Sequence, residues 1–165
     1  MAETIRDGLV RIAPTQSETI NANARDYIDE LRALDAEIVA KVATVPTSKR
    51  ILVTNHDTFR YFAARYGFTI LGSALGSVST ESADPGAGKI ADLADAIKAS
   101  GVAAIFVENV ANPKLIAQIA TTAGVKVAPP LYTDALGSSG EGTTYIDMMR
   151  YNVDTIVTAL TATTP

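Results

Sequence analysis

Apolar residues recur every three or four positions from Ser17 to about Val45, at Ile20, Ala24, Tyr27, Ile28, Leu31, Leu34, Ile38 and Val42, with Arg25, Asp26, Asp29, Glu30, Arg32, Asp35 and Glu37 between them. That period predicts one amphipathic helix. Its roughly 28 residues would span about 40 Å, longer than a lobe of this size needs for its own packing, so part of it is available to something outside the lobe. Pro46 and Thr47-Ser48 stop the helix, and Lys49-Arg50 leads into ILVT, a short β-branched run of the buried parallel type.

After ILVT the pattern alternates. A helix is expected from Thr58 to Tyr66, then the apolar run FTILGSALGSV; a helix from Ala87 to Ala99, then VAAIFVE; a helix from Pro113 to Thr122, then VKVAPPLY. Gly67, Gly101 and Gly124 follow these helices, as a left-handed cap prefers, and Pro113 stands in a first turn, where its missing N–H costs nothing. Strands separated by one helix each cannot form hairpins, so the fold class expected is α/β, a four-stranded parallel sheet with helices on both faces, preceded by the long helix. The last segment, TTYIDMMRYNVDTIVTAL, is helical in period with Ile146, Met149, Val153, Ile156 and Leu160 on one face, and its Met pair reads as core filling. GSSGEG at 137–142 reads as a mobile surface loop.

Composition narrows the possibilities. The 165 residues are 47% hydrophobic, enough for one core of their own. With 14 basic against 18 acidic residues, a net charge of −4 and no basic cluster, nucleic acid is not expected as a partner. The chain has no cysteine, hence no disulfide framework, thiolate metal site or cysteine nucleophile. No apolar run approaches the roughly 20 residues of a membrane span. MAETIRDGLV lacks the regions of a signal peptide, so the expectation is either a cytosolic protein or a missing front end.

Ligands of an open parallel sheet bind beyond the carboxyl ends of its strands. There the chain places Asn55, His56 and Asp57 after the first run, Ser79 to Ser82 with Glu81 after the second, Glu108 and Asn109 after the third, and Thr133 and Asp134 after the fourth. One imidazole, the sole histidine, and three carboxylates would then face one crevice. His56 just ahead of a helix amino terminus would favour the neutral imidazole that a metal requires. On the residues alone it is equally read as a partly exposed neighbour of a capping Asn55 or Asp57, and Asp134 as an Asx turn closing a strand.

Other motifs carry less. Gly86 to Ala91 matches G-x-G-x-x-A but follows ESADP instead of a strand end, so it reads as a helix start. There is no G-x-S-x-G elbow for a serine nucleophile. The enzymatic alternative is a small α/β hydrolase or isomerase using Glu81, Glu108 or Asp134 as acid and base.

VTNHDTFRYFAARYGF, STES-x-x-P, VAAIFVENVANPKLIAQIA, YTDALG and YIDMMRYNVDTI, in that order and spacing, resemble the carboxyl-terminal half of the metal-binding solute receptors of bacterial ABC importers, the cluster A-I or zinc/manganese family. The resemblance covers essentially the whole chain. It implies no catalysis, an interlobe connecting helix at 1–48, and a carboxyl-terminal α/β lobe at 49–165. It implies a divalent metal ion held between two lobes, with His56 in V-T-x-H-x-x-F and Asp134 in D-x-L-G as this lobe's ligands and Glu81 in their outer shell. Zn²⁺ is favoured over Mn²⁺, because manganese-type members often carry Glu where this chain has His56.

Family members are roughly twice as long, so a truncated receptor is expected, its other lobe and other ligands absent. The full-length protein would be periplasmic or extracellular, membrane-associated, and partnered by an ABC permease. Apolar area freed on the lobe face would allow homo-oligomers.

Overall fold

The computed structural model describes residues 1–54, 57–71, 87–108 and 113–162. Two compact units are present, Met1–Ala40 and Lys41–Pro165. The first holds α1 (Ala2–Ile12), a short 3₁₀ turn at Pro14–Gln16, and most of α2 (Ser17–Ala43), which runs unbroken across the boundary. The pattern reading leaves α1 unassigned, although Ile5, Leu9 and Ile12 recur at helical spacing; α1 buries none of its residues.

The second unit alternates as expected: β1 (Ile51–Leu52), α3 (Arg60–Tyr66), β2 (Thr69–Ile70), α4 (Ala87–Ser100), β3 (Ala104–Ile105), α5 (Pro113–Ala123), β4 (Lys126–Val127) and α6 (Tyr145–Thr161). The expected helix at 58–66 starts with a 3₁₀ turn, Asp57–Phe59, before α3. Gly67 ends α3 in the left-handed region and the chain turns straight into β2. α4 begins at Ala87, inside the G-x-G-x-x-A stretch.

The four strands form parallel pairs. Ile51 stands opposite Thr69 and Leu52 opposite Ile70, while Ala104 stands opposite Lys126 and Ile105 opposite Val127. The Phe106 N–H donates to the Val53 carbonyl at 2.9 Å and so links the two pairs, giving the order β2-β1-β3-β4. The regular ladders are short, but the β3 run continues: Ala128 N–H bonds Ile105 O and Leu131 N–H bonds Val107 O, with Glu108 bridging Leu131 in parallel.

Val53, Ile105 and Val107 join α4 and α5 in one core cluster with Ile97 and Ile119. Leu52, Ala104 and Phe106, which alternate with them, are buried as well. Side chains alternate in direction along a strand, so the sheet is covered on both faces and its sequence is apolar at consecutive positions.

α6 is capped by Thr144, whose Oγ1 accepts the Asp147 N–H at 3.1 Å and donates to the Asp147 carboxylate at 2.8 Å. Its buried residues are Met148, Asn152, Val153, Ile156 and Leu160. Ile146 and Met149, assigned to the inward face by periodicity, are only half-buried. The helix is turned so that a polar residue, Asn152, faces inward.

Candidate metal centre

Of the residues singled out by sequence, His56 and Glu81 lie outside the described residues, as do Asn55 and Asn109. Thr58, Glu108 and Asp134 lie within them. Among the described residues no three of His, Cys, Asp and Glu gather as a group able to hold a metal ion.

The two rim segments are tied together through Glu108. This residue is 2% exposed, and its Oε2 accepts a hydrogen bond from Thr58 Oγ1 at 3.1 Å. Burying a carboxylate is costly unless hydrogen bonds replace its water, so the Thr58 contact fixes where the 57–59 turn meets β3. The backbone of Glu108 pairs with Leu131, three residues before Asp134. One buried residue thus contacts both the turn that follows His56 in sequence and the segment that leads to Asp134.

A cavity of about 520 Å³ opens between these segments and α6. Thr58, Phe59 and Phe62 line it on one side, Thr133 and Asp134 on another, and Met148 and Asn152 on a third. Its aromatic wall is held by mutual packing: Phe62 meets Phe59 edge-on at 5.9 Å and Tyr66 at 4.7 Å between ring centroids. Asp134 is exposed and presents a hard oxygen donor of the kind that Zn²⁺ and Mn²⁺ accept. Thr133 Oγ1, one residue before it, is buried with no hydrogen-bond partner among the described residues.

The Asp134 segment is anchored by a residue that sequence reasoning missed. Asn152 Oδ1 accepts the Tyr132 N–H at 2.9 Å and its Nδ2 donates to the Tyr132 carbonyl at 2.7 Å. The signal was present: Met148, Asn152, Ile156 and Leu160 fall at four-residue spacing, and an Asn in an otherwise apolar stripe needs a partner. The GSSGEG stretch is exposed from Ser138 to Glu141, but its base is closed by a Gly137 N–H to Gly142 carbonyl bond of 2.8 Å, with Gly142 buried against Tyr132.

Comparison with known proteins follows the same line. The profile of the family described as ZnuA, zinc-uptake complex component A periplasmic, matches residues 1–159. The manganese-binding lipoprotein MntA of Halalkalibacterium halodurans is 38% identical over 159 residues, covering 96% of this chain and 52% of the relative. The iron-binding protein YfeA of Yersinia pestis is 32% identical over 155 residues, covering 93% and 49%. The solved structure of the periplasmic zinc binding protein TroA from Treponema pallidum aligns with a TM-score of 0.84 at 30% identity, over 96% of this chain and 58% of that one. The chain therefore spans about half the length of the curated relatives it matches.

Proposed function

The chain belongs to the ZnuA family, whose members are solute-binding proteins of metal importers and not enzymes, and on that footing we propose that it supplies half of the ligand set for a divalent transition metal, His56 and Asp134. The metal is its cargo. The supporting observation is that Thr58 and Asp134 line the same cavity. His56 precedes Thr58 by two residues, a chain reach of at most about 7 Å. Glu81 is assigned to the shell around the ligands. The hydrolase or isomerase alternative finds no support in the family.

Zinc is favoured over manganese because imidazole nitrogen and carboxylate oxygen suit a tetrahedral Zn²⁺ shell. Relatives named for manganese and iron carry the same scaffold, so the choice rests on the donor at position 56. The working partner is an ABC permease, at the outer face of the membrane, by analogy with the lipoprotein relatives. Among the described residues no helix is long and apolar enough to cross a membrane.

Two protein ligands leave Zn²⁺ half coordinated, so binding by this chain alone is expected to be weak. Zn²⁺ at about 100 times its Kd should still raise stability by about 2.7 kcal/mol, read as a higher Tm. His56→Ala and Asp134→Ala should each abolish that rise, and Mn²⁺ should produce less of it at equal concentration. An unchanged zinc-dependent rise in both variants would sink the ligand assignment.

Self-association is the second expectation. Ile5, Leu9 and Ile12 are exposed in the first unit, and Tyr61, Leu136 and Tyr145 in the second. Light scattering should show a mass that grows with concentration; a strict monomer at millimolar concentration contradicts this.

A further inference from the structure

A ligand on an exposed segment must be held still if it is to meet a cation in a defined geometry. We propose that Asn152 is the positioning residue for Asp134, an inference that rests on Asp134 being a metal ligand.

Asn152 is 2% exposed in the apolar stripe of α6, where a leucine would pack without any polar group to satisfy. Its amide makes both hydrogen bonds that a neighbouring strand would make to Tyr132, accepting from the N–H and donating to the carbonyl. The segment is thus gripped from two directions. Leu131 N–H is bonded to Val107 O at 2.7 Å on the β3 side, and the next residue is bonded to Asn152. Asp134 follows Tyr132 by two residues, within about 7 Å of chain.

The Tyr132 ring completes the grip. It packs edge-on against Tyr151, with centroids 5.2 Å apart, and lies so close to Gly142 that a Cβ there would come within 2.8 Å of Tyr132 Cε2. Asp134 therefore sits in a short span fastened at Tyr132 and, through the Gly137–Gly142 bond, at its far end. Only Asn has the required side chain: Asp has no donor, and Gln places its amide one methylene further out.

The test is a zinc chloride titration of the full 165-residue chain followed by amide chemical shifts, which register weak binding. Wild type, Asn152→Ala, Asp134→Ala and the double variant form a cycle. Asn152→Ala should weaken Zn²⁺ binding by roughly 10–100-fold, as loss of an outer-shell partner does. The double variant should bind no more weakly than Asp134→Ala, because the positioned group is already gone. Amide exchange should accelerate at Tyr132 and not in α4 or β3.

Wild-type affinity in Asn152→Ala, or additive losses in the double variant, overturns the proposal while leaving Asp134 as ligand. Wild-type affinity in Asp134→Ala instead removes the ligand assignment itself, and the proposal with it. If Asn152→Ala does not fold, Asn152→Asp, which keeps the acceptor for the Tyr132 N–H and loses the donor, carries the same comparison.

Discussion

Phe106→Ala is expected to lower the free energy of unfolding by about 3–5 kcal/mol. Phe106 is fully buried, at 0% exposure, and belongs to the largest side chains with no access to solvent. It directly follows β3, and its N–H makes the hydrogen bond to Val53 that links the two strand pairs. Its neighbours Ile105 and Val107 face the α4/α5 cluster, so its ring fills the opposite side of the sheet. Removing the ring leaves a cavity that a sheet pinned on both faces cannot collapse around. The lost stability is a large share of the roughly 5–15 kcal/mol of an ordinary domain. In urea titrations the midpoint should fall with the slope unchanged. A loss under about 1 kcal/mol would show that the site relaxes freely and that the packing described is wrong.

Gly142→Ala is the second large effect, because two independent costs meet at one residue. Gly142 has φ +89°, where an L side chain is strained by about 1–2 kcal/mol. Its new Cβ would also stand 2.8 Å from Tyr132 Cε2 and 3.0 Å from Cδ2. The ring has little room to yield, since Tyr151 lies against it and Asn152 holds its backbone. Overpacking of that kind adds about 1–3 kcal/mol. Gly140 supplies the control: at φ +73° with nothing within 4 Å of the place a Cβ would take, Gly140→Ala carries only the conformational cost. Thermal unfolding should therefore separate the two variants, with Gly142→Ala the less stable. Equal destabilisation would mean that Tyr132 moves aside at no cost and is not the wedge described.

The candidate site was half legible in the sequence. The strand-end rule led to Asp134 and Glu108 through the apolar runs before them, and the structure puts Asp134 on the cavity while burying Glu108 beneath the rim. Glu108 did not read as a structural acceptor, because its partner Thr58 is 50 residues away. His56 and Glu81, both outside the described residues, keep the roles that the resemblance implies, as proposals.

What the sequence alone determined is the identity and order of the elements of the second unit. The helices expected at 87–99 and 113–122 appear as Ala87–Ser100 and Pro113–Ala123, and the long helix as Ser17–Ala43. These follow from local physics: apolar period, a proline in a first turn, glycine caps. Tertiary structure decided which way α6 turns, which residue holds Tyr132, and how the base of the 137–142 loop is closed. Asn152 and Tyr132 lie 20 residues apart, and no local period records that a buried amide is matched to a backbone brought to it only by folding. Periodicity ranks faces by hydrophobicity, whereas the final rotation of a helix is set by the polar groups it must satisfy.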